Sequence, residues 1–184
     1  MWLRFASSRV SLAAMVLALC ACGFAGAPSP SSTVADTVSI VGDAAFTAET
    51  RAALALLQSR APSYVSEVQS EIQTILSVSR GSGMDAPIRT YRVGAETAFA
   101  PGFSIEQQVA WYASTIVHDA HHGALYHAGH AWTGKGAELE CLGRQRDVLA
   151  LIERGTTMRD YVQSLILGAD DPANEYWTDP NRHW

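Results

Sequence analysis

Residues 104–123 read SIEQQVAWYASTIVHDAHHG, and this stretch predicts the central helix of the fold. Ser104 and Gln107 have the spacing of a capping box, in which each side chain accepts a hydrogen bond from the other residue's backbone N–H. Apolar residues then fall on one helical stripe: Ile105, Val109, Tyr112, Ile116 and Ala120. Gly123 is a typical residue for a helix end. The pattern therefore predicts a helix that begins after Ser104 and ends at Gly123.

Histidines are concentrated at the end of this helix, where five of the chain's six lie between positions 118 and 130. Residues four apart on a helix share a face, so His118 and His122 can present their imidazoles to one metal ion. His121 lies off that face, and we expect it to be exposed or to support the site indirectly. His127 and His130 fall in or near the following connection, where a plain polar loop and a substrate or metal contact both remain open.

A second predicted helix, AELECLGRQRDVLALIER (137–154), carries the carboxylates that such a site needs. A catalytic zinc ion normally has three protein ligands and keeps one position for water. Glu138 or Glu140 can supply the third ligand, but residues two apart point in different directions, so only one need face the ion. Asp119, next to the first histidine, can polarise a water molecule. Cys141 is expected to be a small buried residue.

Together the two helices resemble those of the gluzincin group of zinc metallopeptidases. VHDAHH (117–122) is similar to the family's HExxH motif, and AELEC (137–141) is similar to its glutamate-bearing helix. The resemblance implies that His118, His122 and Glu138 bind Zn²⁺. It also implies that Asp119 replaces the family's glutamate base and that the substrate is a peptide or protein.

Two departures from the family pattern concern the chemistry. Asp119 is one methylene shorter than glutamate, which would leave its carboxylate about 1.5 Å farther from the same water. A misplacement of about 1 Å can cost roughly 10²-fold in rate. Leu142 stands where the family has an acidic residue one turn beyond the glutamate ligand. A second hypothesis is therefore a metal-binding protein without catalysis, which stores metal, senses it or docks a partner.

The residues before the central helix predict a small α+β arrangement. TVSIVGD (37–43) predicts an edge strand, and FTAETRAALALLQSR (46–60) predicts a helix. Residues 64–79 alternate imperfectly, so a long strand with a bulge and a helix-to-strand switch both remain open. RGSGMDAP (80–87) predicts a turn, and IRTYRVGAETAFAP (88–101) predicts a second strand.

The residues after the second site helix predict one more short helix, TMRDYVQSLILG (157–168), and an aromatic tail. We expect Tyr176, Trp177 and Trp184 in this tail to cover an edge of the core. The element order resembles the N-terminal half of the zincin fold. We therefore predict one zincin-like domain over residues 37–184, with a helix and short sheet followed by an active-site helix and a glutamate-bearing helix.

The N-terminal residues have the features of an export signal. Two arginines precede an apolar run and then small residues, and the run is shorter than the ~20 residues of a membrane span. LCAC (19–22) resembles a bacterial lipobox, so we predict a signal peptide over 1–22, a lipid anchor on Cys22 and a flexible tether over 23–36. Cleavage after Ala27 is the alternative, and it would release a soluble periplasmic or secreted protein.

Charge and cysteine content limit the partners and the compartment. The net charge of −5 at pH 7 argues against nucleic acid as a partner. Cys141 is the only cysteine of the predicted domain, so no internal disulfide can form there. The ~150 residues of the domain suffice for one hydrophobic core. We expect a protein of the bacterial cell envelope whose only membrane contact is the lipid anchor on Cys22.

Overall fold

A small sheet and a set of helices make up the fold, and the computed structural model describes them over residues 33–94 and 103–178. Within these ranges the strands are β1 (Ser39–Val41), β2 (Thr74–Ser77), β3 (Gly83–Asp85) and β4 (Thr90–Val93). The helices are α1 (Val34–Thr37), α2 (Ala44–Arg60), α3 (Pro62–Glu71), α4 (Ile105–His127), α5 (Lys135–Ile152), α6 (Thr157–Leu167) and α7 (Glu175–Thr178), with a 3-10 turn at Ala86–Ile88. The predicted α+β class is confirmed, and helices dominate it.

The sheet is mixed, and its strands lie in the order β1-β2-β4-β3. β2 pairs in parallel with β1 and β4, whereas β3 runs antiparallel to β4. Ile75 lies between Ile40 and Tyr91 in the register, and the side chains of Ile75 and Tyr91 are buried. Parallel neighbours need a crossover connection, which α2 and α3 supply between β1 and β2. β1 occupies an edge of the sheet, as the sequence predicts.

Two local features of the sequence explain why α2 forms: a capping residue and a regular apolar spacing. The side chain of Asp43 accepts a hydrogen bond from the N–H of Phe46 at 2.8 Å, which caps the first turn. The buried residues of α2 recur at intervals of three and four, so one stripe of the helix faces the core: Thr50, Ala53, Leu54 and Leu57. Pro62 then starts α3, because a proline at the first helical position sacrifices no hydrogen bond.

Residues 64–79 contain a helix-to-strand switch, which is one of the two alternatives that the sequence left open. α3 runs to Glu71, Ile72 has extended backbone, and β2 follows. Val68, Ile72 and Ile75 are all buried, although they belong to a helix, a junction and a strand. The imperfect alternation in the sequence arises because three different backbone geometries direct side chains into one core.

The segment 80–87, predicted as a turn, also contains β3 and the start of the 3-10 turn. The carboxylate of Asp85 pairs with the guanidinium of Arg92 at 2.8 Å across the β3–β4 ladder. A strand of three residues is too short to show the alternation on which a sequence-based prediction depends. β4 lies within the strand predicted over 88–101, of which residues 95–101 are outside the described residues.

α4 is the helix around which the others are arranged. It contacts α2, α3 and α5, and it also contacts β3 and β4. Its predicted capping box is confirmed, since Ser104 and Gln107 each accept a hydrogen bond from the other's backbone N–H. Tyr112 is buried in the middle of the helix, and its hydroxyl is 2.9 Å from that of Thr50 on α2. This position places the histidine-rich end of α4 between α3 and α5.

The predicted helix end at Gly123 is wrong, because α4 continues through this residue to His127. A Cβ atom at Gly123 would lie 3.1 Å from the Cβ of Glu71 on α3 and 3.1 Å from the terminal methyl of Met84 on β3. Glycine is needed here because two other elements approach the backbone closely, and not because the helix has to stop.

Replacing Gly123 by alanine is expected to lower the free energy of unfolding by about 1–3 kcal/mol, because the added methyl group overpacks this contact. Urea unfolding measures the change. Gly143→Ala on α5 is the matched control, since a Cβ there meets nothing within 4 Å. It should stabilise the helix by about 0.5–1 kcal/mol. A gain in stability for Gly123→Ala as large as that for Gly143→Ala, or equal losses in both variants, would contradict the close approach at Gly123.

The folded region begins earlier than the predicted boundary at residue 37. Val34 is 1 % exposed and belongs to the core, and Asp36 forms a capping box with Thr33. Residues 33–36, which end the predicted tether over 23–36, are therefore part of the fold. The predicted leader and Trp184 lie outside the described residues. None of the helices described here combines the length and the apolar character needed to cross a membrane.

Candidate metal centre

The side chains of the three predicted ligands, His118, His122 and Glu138, meet where α4 packs against α5. Nε2 of His118 lies 3.4 Å from Oε2 of Glu138, and Nε2 of His122 lies 3.3 Å from the same oxygen. The two ring nitrogens are 3.2 Å apart. His118 and His122 share a face because they are four residues apart on α4, and Glu138 meets them from the first turn of α5.

These distances fit a tetrahedral metal ion. Zinc bonds to histidine nitrogen and carboxylate oxygen are about 2.0–2.2 Å long, so neighbouring ligand atoms in a tetrahedral site lie roughly 3.3–3.5 Å apart. The three distances in this cluster, 3.2, 3.3 and 3.4 Å, are close to that spacing. Two imidazoles and one carboxylate are also a donor set that zinc accepts in catalytic sites.

A backbone hydrogen bond holds His122 in the tautomer that a metal ligand requires. Nδ1 of His122 lies 2.7 Å from the carbonyl oxygen of Trp132, in the connection between α4 and α5. A carbonyl oxygen only accepts, so Nδ1 donates the hydrogen and Nε2 is left to offer its lone pair to a cation. Nδ1 of His118, in contrast, is buried and has no hydrogen bond among the described residues.

The electrostatics of the cluster favour an ionised Glu138. Burial by itself raises the pKa of this carboxyl, but the charge on His118 and the hydrogen bonds of His118 and Tyr176 to it hold the pKa well below its usual range. Burial likewise opposes protonation of His118, whereas the Glu138 carboxylate outweighs it and raises the pKa of His118. Glu138 is therefore in the form that binds cations.

Asp119 lies beside the ligands, on the part of α4 that faces the sheet. Burial raises the pKa of its carboxyl to about 6, against the opposing effect of His118 and His122. The hydroxyl of Tyr91 on β4, which donates a hydrogen bond to Oγ1 of Thr115 at 3.1 Å, also lowers the pKa of Asp119, by less than burial raises it. The structure thus places the predicted base in a buried position next to His118, His122 and Glu138.

Tyr176 is a site residue that the sequence analysis missed. Its hydroxyl, on α7, donates a hydrogen bond to Oε1 of Glu138. The predicted role, covering an edge of the core, is also observed, since Tyr176 and Trp177 pack against the main cluster. No spacing rule connects residues this far apart in the chain. The only signal was an aromatic residue in a proline-containing tail.

Cys141 lies one turn after Glu138 on α5, at the side of the same cluster. It is fully buried, as predicted. Its Sγ atom and one ring nitrogen each of His118 and His122 all lie within 4.8 Å of one another. Burial, together with the negative charge of Glu138, raises the pKa of the thiol. Cys141 is therefore a neutral thiol here, placed where a soft metal could recruit it as a ligand.

His121 and Glu140 lie outside the ligand cluster. Nδ1 of His121 is 2.8 Å from Oε1 of Glu67 on α3, and its Nε2 is 4.0 Å from Oε2 of Glu140. Arg144 also approaches Glu67, at 3.4 Å. Glu138, and not Glu140, is therefore the glutamate beside His118 and His122. His121 lies off their face, as predicted, but it is largely buried and joins α3 to α4.

The two remaining histidines of the group, His127 and His130, differ in their surroundings. His127 is the last residue of α4, and its Nδ1 lies 2.6 Å from Oε2 of Glu71 on α3. Ser70 donates to the other oxygen of Glu71 at 2.9 Å. His130 follows the helix and is exposed. The contacts of His127 are those of a residue that fastens α3 to α4.

Comparison with known proteins assigns the chain to no family. No family model, curated protein or solved structure matches it significantly. The resemblance to gluzincins therefore depends on the residues of α4 and α5 and on their arrangement.

Proposed function

We propose that this protein is a zinc-dependent peptidase of the cell envelope, in which His118, His122 and Glu138 hold the ion. The observation that carries the proposal is the near-equal spacing of the three ligand atoms, 3.2 to 3.4 Å. Three protein ligands with a position left for water are the pattern of catalytic zinc sites. When bound, zinc polarises a substrate carbonyl and makes water a stronger nucleophile at neutral pH.

Asp119 and Trp132 have different roles in the proposed reaction. Asp119 takes the proton from the attacking water and returns it to the leaving amine. The Trp132 carbonyl keeps His122 in its ligand tautomer. A zincin-like fold is part of the proposal, because a small mixed sheet precedes a helix with HDxxH and a helix with the glutamate. A lipid anchor on Cys22 would hold the domain at the membrane.

Metal content and cleavage, measured together, test the proposed function. We expect the purified protein to bind one equivalent of Zn²⁺ and to cleave members of a broad peptide library. A chelator should remove the activity, and added zinc should restore it. His130→Ala, which alters an exposed histidine, should retain both properties. Bound zinc without cleavage of any peptide would exclude the peptidase, and a protein that binds no zinc would exclude the metal site as well.

Cys141 favours a second candidate function, which is metal binding without catalysis. A thiolate from Cys141 would be a fourth protein ligand and would close the site to water, as in structural or storage sites. Asp119 would then only help to orient His118. Both functions use the same two histidines, so metal binding alone does not separate them.

Cys141→Ser separates the two functions. For the peptidase we expect the variant to retain zinc affinity within about threefold, well below the roughly 10-fold loss typical of a supporting group. The Co²⁺-substituted wild type should show no thiolate-to-cobalt charge-transfer absorption, because sulfur is not a ligand. A strong charge-transfer band that disappears in Cys141→Ser, with a large loss of zinc affinity, would support the closed site instead.

A further inference from the structure

We propose that residues 168–178, here called the strap, complete the metal centre, and that Tyr176 within the strap is a positioning residue for Glu138. This inference rests on the proposed metal site, but it does not require that the site be catalytic. It assigns a function to a segment that lies outside the two ligand-bearing helices.

The two oxygens of Glu138 have different partners. Oε2 faces Nε2 of His118 and Nε2 of His122, whereas Oε1 accepts the hydrogen bond from the Tyr176 hydroxyl. A carboxylate that binds a cation through one oxygen can still turn about its last bond. A hydrogen bond to the second oxygen removes that freedom and keeps the first oxygen directed at the histidines.

The strap is anchored on the helix that carries Glu138. Lys135, the first residue of α5 and the only lysine of the chain, donates to the carbonyl oxygen of Ala169 at 2.7 Å. It also donates to the Asp170 carboxylate at 2.8 Å. The ammonium group lies 5.7 Å from the centre of the Trp177 ring. One side chain therefore holds both ends of the strap, less than one turn before Glu138.

α6 supplies the other attachment of the strap. Nε1 of Trp177 donates to the carbonyl oxygen of Leu165 at 2.8 Å, so the ring next to Tyr176 is fixed on the end of α6. The side-chain amide of Asn174 donates to the carbonyl oxygen of Gly168 at 3.3 Å, which closes the strap on itself. Contacts of the strap with α6 and with Lys135 thus set the position of the Tyr176 hydroxyl.

A role limited to covering the core would not need the hydroxyl group. The aromatic ring of Tyr176 packs against the core, and phenylalanine would do the same. The hydroxyl instead reaches a carboxylate that is 8 % exposed and that contacts both ligand histidines. The contact therefore links the strap to the geometry of the ligands, so the removal of one oxygen atom should change metal binding.

Tyr176→Phe in the full-length protein is the test, with zinc affinity measured by competition against a chromophoric chelator. We expect binding to weaken about 10- to 100-fold, the usual effect of losing a group that orients a metal ligand. The ligand-field spectrum of the Co²⁺-substituted protein should shift as well. Tyr161→Phe is the matched control, because Tyr161 is exposed on α6 and its ring lies against Trp111. It should leave affinity and spectrum unchanged.

Lys135→Met tests the anchor, because it removes the ammonium group and retains the apolar stem. We expect weaker zinc binding, and the Lys135→Met, Tyr176→Phe double variant should be no weaker than Tyr176→Phe alone. Additive losses would overturn the anchor, and wild-type affinity and spectrum in Tyr176→Phe would overturn the positioning role. Failure of the wild type to bind zinc is a different result, which overturns the proposed function together with this inference.

Discussion

Replacing His122 by alanine is expected to abolish stoichiometric zinc binding. His122 is at the centre of the candidate site, since its Nε2 lies 3.3 Å from Glu138 and 3.2 Å from His118. It is also the proposed ligand whose tautomer is fixed, by the carbonyl of Trp132. The loss should exceed the roughly 100-fold that removal of a supporting hydrogen bond costs, because a direct ligand disappears. Metal content after dialysis and titration calorimetry measure it.

The adjacent histidine provides the control for this experiment. His121 differs from His122 by one position on the same helix, but its ring is bonded to Glu67 on α3. His121→Ala should therefore keep one equivalent of zinc and lose only some stability, about 1–3 kcal/mol for the hydrogen bond to a charged group. Retention of zinc by His122→Ala and its loss from His121→Ala would show that the metal binds on the other face of α4.

Asp119→Asn is expected to lower kcat by about 10²- to 10⁴-fold while zinc stays bound, because an amide cannot accept the proton that general-base catalysis transfers. Asparagine has nearly the same shape and volume as the aspartate that is buried here, so the fold should be retained. Peptide hydrolysis and metal content on the same sample separate the two effects. Wild-type kcat in Asp119→Asn would show that Asp119 only supports His118.

Asp119→Glu is the companion variant, because it restores the residue that the gluzincin motif has at this position. Asp119 is buried against Tyr91 and beside both histidines, so an added methylene has to displace packed groups. We therefore expect a loss of stability of about 1–3 kcal/mol and no gain in kcat. A faster enzyme would show instead that the shorter carboxylate limits the reaction.

Local sequence patterns were sufficient to predict the start of α4, the helix that carries His118 and His122. The capping box at Ser104 and Gln107 depends on residues within a few positions of each other, so it is visible in a single stretch of chain. The same holds for the buried part of the predicted stripe, which is Tyr112, Ile116 and Ala120, whereas Ile105 at its start is exposed. The predicted end of α4 was wrong because the role of Gly123 depends on residues that are distant in the sequence. Gly123 serves a contact with Glu71 and Met84, which belong to other elements.

The choice between Glu138 and Glu140 shows the limit of prediction from helical spacing. The sequence left Glu138 and Glu140 open, because helical spacing determines only that they point in different directions. The rotation of α5 against α4 decides which of them meets the histidines, and it directs Glu138 inward and Glu140 towards His121. That rotation depends on how many side chains pack at once, so no short motif encodes it.

The sequence alone determined that His118 and His122 share one face of a helix and that Asp119 follows the first of them, since helical geometry depends only on spacing. Only the tertiary structure decided the distances within the cluster, the carbonyl of Trp132 behind His122, the proximity of Cys141 and the hydroxyl of Tyr176 on Glu138. Each of these joins residues from different elements. Periodicity specifies the face of an element, but the packing of the whole chain sets how closely two faces approach and which groups meet.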